Sequence, residues 1–169
     1  MRATAVAVLV IIAAVVIVPA ISADESRIRV GTYDNRAIAI AYANSEHLPV
    51  DEKKAEHAAA VAAGDTAKAR ELEAWGEKHQ HEMHLMGFST APVTELLALV
   101  ADGVPGVAEK AGVDVIARAC DFVGEDVEVI DVTMELVALF EPDQNAYDTL
   151  EQMKGVPPVD IGDIHMHGQ

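Results

Sequence analysis

The densest group of metal-binding side chain types lies near the middle of the chain. If this segment is a helix, Glu77, His81 and His84 lie on one side of it, because residues three and four positions apart share a helix face. One carboxylate and two imidazoles are ligands that Zn²⁺ and Cu²⁺ accept. Near the end of the chain, His165 and His167 could supply further nitrogens if the tail folds back. These five residues form a candidate zinc or copper site.

The opposite side of the same predicted helix is mainly apolar. We interpret it as a face that packs into the core, because an apolar stripe at helical spacing is typical of burial and Met fills irregular gaps in cores. A copper site made of Met and His is the alternative interpretation. The stripe consists of Leu72, Trp75, His79, Met83 and Met86.

Composition excludes several classes of function. The chain has 12 basic and 28 acidic residues and a net charge of −16, which argues against binding nucleic acid or an anionic membrane surface. Its one cysteine, Cys120, excludes an intrachain disulfide framework. No nucleophile elbow and no phosphate-binding glycine loop occurs. We therefore expect a non-enzymatic protein with no obligatory cofactor.

Residues 1–23 resemble a secretory signal peptide. Arg2 precedes a long uncharged apolar run, and Pro19 with the small residues Ala20, Ser22 and Ala23 provides a cleavable end. The sequence therefore predicts an exported, periplasmic protein with no membrane attachment after cleavage. The alternative is a membrane anchor that remains uncleaved, because the run approaches the length of a span.

The strongest turn signal lies inside a helical hairpin predicted over residues 51–86. Gly64 is suited to end one helix and Asp65 to cap the next, so the two helices should pack antiparallel. In the first helix, small residues recur at spacings of three and four, which would allow a close approach by a neighbouring helix. They are Ala55, Ala58, Ala59 and Ala62.

Three segments predict β-strands. The first is 27–33, which ends at Asp34, where a helix begins. The other two, 113–119 and 127–132, are separated by Gly124 and two acidic residues, which predicts a β-hairpin. A capped helix over 134–140 follows.

At the junction of the first strand and first helix, Asp34 and Arg36 predict a buried ion pair that holds the turn. A small-molecule pocket is the alternative. Together, these elements predict an α+β fold in which a helical hairpin and further helices pack on a small sheet of about three strands. We expect one domain over 24–154 and an extended polar tail over 155–169. Either the helices cover the sheet, or sheets from several chains pack together.

The order of elements resembles the Skp/OmpH family of periplasmic chaperones. The resemblance is carried by the stretch from Arg29 to Asp34 and by the stretch from Val129 to Val137, in which a strand leads through Asp131 and Thr133 into a helix. It implies a trimer with joined sheets and hairpins that project to hold unfolded protein clients. The chain also resembles a set of uncharacterised exported bacterial proteins that share residues 33–37 and 87–92, which implies no activity.

Two functions follow as expectations. The first is an exported, non-enzymatic protein that binds protein or peptide clients in the cell envelope, as the resemblance implies, and that associates with copies of itself. The second is a periplasmic metal-binding protein that uses Glu77, His81 and His84 with His165 and His167 of the tail.

Overall fold

A computed structural model describes residues 27–164 of the chain. It shows an α+β fold with a three-stranded sheet, which confirms the predicted class. Short 3₁₀ turns lie at Ala101–Gly103 and Ile161–Asp163. The strands are β1 (Ile28–Thr32), β2 (Val115–Ala117) and β3 (Val127–Asp131), and the helices are α1 (Asn35–Ala43), α2 (Val50–Ala62), α3 (Thr66–Phe88), α4 (Thr94–Leu99), α5 (Val104–Ala111), α6 (Thr133–Ala138) and α7 (Gln144–Met153).

The three strands are parallel, in the order β2-β1-β3. In register, Val30 of β1 lies between Val115 of β2 and Val129 of β3. The predicted β-hairpin between 113–119 and 127–132 is therefore wrong, because these strands pair with opposite edges of β1 and never with each other. Gly124 and its neighbours do form a turn, but this turn only leads the chain into β3.

Helix α1 lies at the centre of the molecule and is buried on nearly all sides, which its small and aliphatic residues permit. Its N-cap is Asp34, whose carboxylate accepts a hydrogen bond from the backbone N–H of Arg36. The packed core around it contains Ile38, Leu136 and Phe140, all almost completely inaccessible to solvent. Helices α3, α4, α6 and α7 all contact α1.

The predicted helical hairpin is confirmed as α2 and α3. Gly64 has a φ of +71°, and the Asp65 side chain accepts a hydrogen bond from the backbone N–H of Lys68 at 3.0 Å. The expected contact through small residues is wrong: Ala55, Ala58, Ala59 and Ala62 are all exposed. The buried side of α2 instead runs along the neighbouring helical row, which includes His57 and Ala60.

Ser89 closes the end of α3, because its hydroxyl donates to the carbonyl of Leu85 at 2.5 Å. One further segment differs from expectation. Helix α7 was not predicted, because its sequence is largely polar. It is capped by Asp143 and buries Ala146 and Leu150 one turn apart.

Within residues 27–164, no helix combines the length and the apolar composition that crossing a membrane requires. The predicted signal peptide and the residues after Ile164 lie outside the described residues. Between Lys154 and Ile164 the chain is mostly exposed and forms the short 3₁₀ turn.

Candidate interaction surface

The two faces of the sheet differ in what covers them. Side chains alternate between faces along a strand, and residues in register on neighbouring strands share a face. Ile116 and Ile130, which flank Gly31, pack against the core, so this is the covered face. We call the opposite one the open face. It carries Ile28, Val30, Thr32, Val115, Ala117, Val127, Val129 and Asp131.

The open face is apolar and accessible to solvent. Ile28 is 55 % exposed, Val115 51 % and Val129 42 %. Among the eight residues of the open face only Asp131 is charged, and it lies at the carboxyl end of β3. Large apolar side chains grouped at this exposure mark an interaction surface more often than a solvated one.

The connection between β2 and β3, residues 118–126, is charged at four positions but adds two exposed apolar side chains beside this surface. Phe122 is 86 % exposed, the highest value among the large apolar side chains of the described chain, and Val123 is also exposed. A Cβ built on Gly124 would lie 4.0 Å from both the Phe122 ring and the Val127 side chain. The Phe122 ring therefore lies beside the amino end of β3, next to the open face.

The covered face shows why the sheet keeps its position. A Cβ on Gly31 would lie 3.1 Å from a methyl group of Val132 and 3.2 Å from one of Val113. Any larger residue here would require these two valines to move by a few tenths of an ångström, so glycine suits this close approach. The helices therefore press on one side of the sheet and leave the other side free.

The turn from β1 to α1 is fixed by partly buried polar contacts, which include the predicted ion pair of Asp34 and Arg36. Arg36 is buried, and its Nη2 donates to the Asp34 carboxylate at 2.6 Å. Its Nη1 donates to the carbonyl of Val156 at 2.8 Å, and the Asp34 backbone N–H donates to the Thr133 hydroxyl at 3.0 Å. This pair joins β1, α6 and the segment after α7. Arg36 also lines an apolar cavity of about 460 Å³ between α1, α3 and α7.

Asn35 provides a second connection at the same turn. Its side-chain amide is buried and donates to the carbonyls of Ser89 and Ala91, both at 2.9 Å. These contacts hold the end of α3 against the start of α1. Sequence reasoning missed this residue, although Asn next to a helix cap is a residue type that commonly binds backbone groups.

Two tyrosines near these elements have altered acidity. Burial raises the pKa of Tyr33, at the end of β1, and nearby Arg118 partly offsets this effect. Burial alone raises the pKa of Tyr42 in α1. Both phenols therefore remain protonated at higher pH than a tyrosine in water.

The hairpin of α2 and α3 is the other exposed feature. Helix α2 packs mainly on α3 and has one buried residue, Ala60. His57 contacts Glu73 of α3 at 3.1 Å. Near the turn, Val61 is 58 % exposed. The hairpin thus extends from the core with an exposed outer helix.

The predicted metal ligands occupy different surroundings along α3. Glu77 is exposed, while His81 and His84 are partly buried. The rings of His84 and Phe88 meet edge to face, with their centroids 5.6 Å apart. Over residues 27–164, no group of three or more His, Cys, Asp or Glu side chains is arranged to hold a metal. His165 and His167 lie outside the described residues, so the five-residue site stays a prediction.

The apolar stripe of α3 faces the interior, as the core interpretation expects. Leu72 is buried, and Met83 and Met86 pack against the core. The rings of Trp75 and His79 are stacked with their centroids 4.9 Å apart.

Compared with known proteins, the chain matches no protein-family model, no curated protein and no solved structure.

Proposed function

We propose that this protein is an exported, non-enzymatic binding protein whose copies associate through the open face and hold protein clients with the α2–α3 hairpins. The carrying observation is the exposed apolar row of Ile28, Val115 and Val129 on a parallel sheet. Parallel sheets are normally covered on both faces, and three strands alone bury little surface. The occupant we assign to the open face is a second copy of the chain.

Charge favours this choice of occupant. A chain with a net charge of −16 repels its copies over most of its surface. The open face carries only Asp131, at one end, so two copies can meet there without bringing many carboxylates together. Phe122 supplies an exposed aromatic side chain beside the same surface, a residue type enriched where proteins associate. The resemblance to Skp/OmpH proteins implies three copies.

The hairpin is the part that we assign to client binding. Helix α3 has 23 residues, which at 1.5 Å per residue gives a length of about 35 Å. Val61 and the four exposed alanines of α2 present a weakly apolar surface without a partner inside the described chain. Copies joined at their sheets would place several such arms around one client and gain affinity from multiple contacts.

Export rests on the predicted signal peptide over residues 1–23. Its removal would leave Asp24 as the first residue, a few positions before β1 begins at Ile28. We propose that this shortened chain is the form that associates in the cell envelope.

A paired experiment separates association from client binding. Residues 24–169 are prepared as the parent, as Val129→Asp on the open face and as Val61→Asp on the hairpin. Mass is measured by light scattering, and client holding by suppression of aggregation of a urea-unfolded protein on dilution. Val129→Asp should lower the mass to one chain and abolish holding. Val61→Asp should keep the mass and weaken holding several-fold.

Ile161→Asp serves as the matched control, because Ile161 is exposed to a similar degree in the segment after α7. It should change neither readout. A parent protein that fails to suppress aggregation at a tenfold excess of chains would overturn client binding. A Val61→Asp protein with the parent's activity would show that the hairpin is not the part that holds clients.

A second candidate function is metal binding, and one contact favours it. The segment after α7 returns to the end of α3, where the Val159 backbone N–H donates to the carbonyl of Phe88 at 2.8 Å. His165 lies six positions after Val159, and an extended chain of six residues spans at most about 20 Å. A tail of that length is long enough to reach His84, which lies one helical turn before Phe88.

Zinc titration of untagged residues 24–169 by calorimetry tests this candidate. A site should bind one Zn²⁺ per chain, and both His81→Ala/His84→Ala and His165→Ala/His167→Ala should lose at least tenfold in affinity. His47→Ala, which removes an exposed histidine far along the sequence, should have no effect. Equal affinity in all four proteins would eliminate the site.

A further inference from the structure

A cavity of about 600 Å³ lies between α1, α3 and α4, apart from the open face. Its volume falls within the range of small-molecule sites. Most of its wall is apolar and comes from Leu85, Met86, Ala91, Pro92, Leu96 and Leu99.

The charged groups of this cavity have one sign. Glu82 of α3 and Glu95 of α4 line it, and no Lys or Arg is among the described residues of its wall. One of these carboxylates is paired with Lys78, whose Nζ lies 3.5 Å from a Glu82 oxygen and whose side chain is largely exposed. A ligand with a positive charge would therefore replace or join a loosely held lysine.

One aromatic side chain at the wall has unused hydrogen-bonding capacity, and a tyrosine lies beside it. The Nε2 atom of His79 is buried and has no hydrogen-bond partner among the described residues. Burial is the only effect that raises the pKa of Tyr42, whose side chain is buried beside it. The two rings meet edge to face, with centroids 6.2 Å apart. An electron-rich ring beside carboxylates favours cations.

From this combination we infer a binding site for an organic cation, namely an amine with an aliphatic body. Its ammonium group lies between Glu82 and Glu95, and its alkyl part lies against Leu96 and Leu99. The carboxylates supply charge recognition, and the apolar wall supplies most of the contact area. The negative charge of the whole chain raises the local concentration of such a ligand.

Trp75 provides a direct readout. It is the only tryptophan of the chain and stacks on His79, which lines the cavity. Octylammonium, octanol and octanoate share one aliphatic body and differ in charge. Titrated against residues 24–169, octylammonium should change the Trp75 fluorescence saturably and bind at least tenfold more tightly than octanol, and octanoate should bind most weakly.

Variants test which side chains recognise the charge of the ligand. Glu82→Gln/Glu95→Gln should reduce octylammonium affinity at least tenfold and leave octanol unchanged. Glu71→Gln, which changes an exposed carboxylate on the same helix that does not line the cavity, is the matched control and should bind as the parent does. Lys78→Gln removes the competing ammonium and should strengthen binding.

Several results would overturn the inference. These are equal affinity for octylammonium and octanoate, unchanged octylammonium affinity in the double variant, or full displacement by millimolar Mg²⁺, which would indicate a simple acidic cluster. Circular dichroism of each variant distinguishes lost binding from lost folding. This site is independent of the proposed association, so Val129→Asp should bind octylammonium as the parent does.

Discussion

The two faces of one sheet both carry β-branched residues, but their surroundings are opposite. On the covered face, Ile116 and Ile130 pack against helices, and Gly31 lets Val132 approach β1. On the open face, Val115 and Val129 remain exposed in the described chain. The comparison shows that β-branched residues indicate a strand, whereas burial of each face depends on elements far away in the sequence or on another chain.

The largest expected difference between the faces is in stability. Leu136→Ala empties part of the covered core and should lower the free energy of unfolding by about 2–5 kcal/mol. Val129→Ala on the open face should change that of the dissociated chain by less than about 0.5 kcal/mol. Urea denaturation at low protein concentration measures both.

The same two variants can also contradict the proposed difference between the faces. If Val129→Ala costs as much as Leu136→Ala in a dissociated chain, the open face is packed within one chain and the account is wrong. At high protein concentration Val129→Ala should also lower the melting temperature, since it then removes contacts between copies.

A smaller effect is expected at the glycine of the covered face. Gly31→Ala places a Cβ within 3.2 Å of methyl groups on both Val132 and Val113, so it should cost about 1–3 kcal/mol. Gly76→Ala is the matched control, because its Cβ meets open space in α3 and alanine favours helix by up to about 1 kcal/mol. Opposite signs in thermal denaturation would support the assignment of faces. A neutral Gly31→Ala would contradict it.

The smallest effect concerns pH on the covered side. Burial raises the pKa of Tyr42 above its ordinary value of 10.0, so the folded protein keeps this proton where the unfolded chain has lost it. The stabilising contribution is complete below pH 10 and declines as the pH rises beyond it. Denaturant titrations between pH 8 and 11 should show this decline, and Tyr42→Phe should reduce its slope. An unchanged slope in the variant would show that this phenol is not the source.

Local signals predicted the parts of the fold that short stretches determine. Gly64 and Asp65 specify a helix end and a helix start by their own conformational and hydrogen-bonding preferences, and both roles are confirmed. The helix start at Asp34 and the ion pair of Asp34 with Arg36 were predicted for the same reason.

Pairing over long distances could not be predicted in this way. Gly124 lies in a turn signal between two strands, which favours a hairpin, but β1 occupies the place between them. Its register with β3 joins residues about a hundred positions apart, and no local pattern encodes that partner. The alanine stripe of α2 was misassigned because helical spacing identifies a face but not the neighbour that covers it.

The sequence predicted two alternatives for the sheet, namely that helices cover it or that sheets from several chains pack together, and it could not decide between them. The β-branched residues Val127 and Val129 predicted a strand, but they did not indicate which side of the sheet the helices would cover. Helix α7 was missed although Asp143 could have identified its start, because Ala146 and Leu150 give only a weak apolar pattern within a polar stretch.

Sedimentation velocity of residues 24–169 across a hundredfold range of concentration tests the central claim most directly. We expect a single species whose mass is a small whole-number multiple of one chain, reduced to one chain by Val129→Asp and unchanged by Ile161→Asp. A concentration of about 100 µM lies far above the dissociation constant of a stable assembly. A parent protein that still sediments as one chain at this concentration would contradict association through the open face.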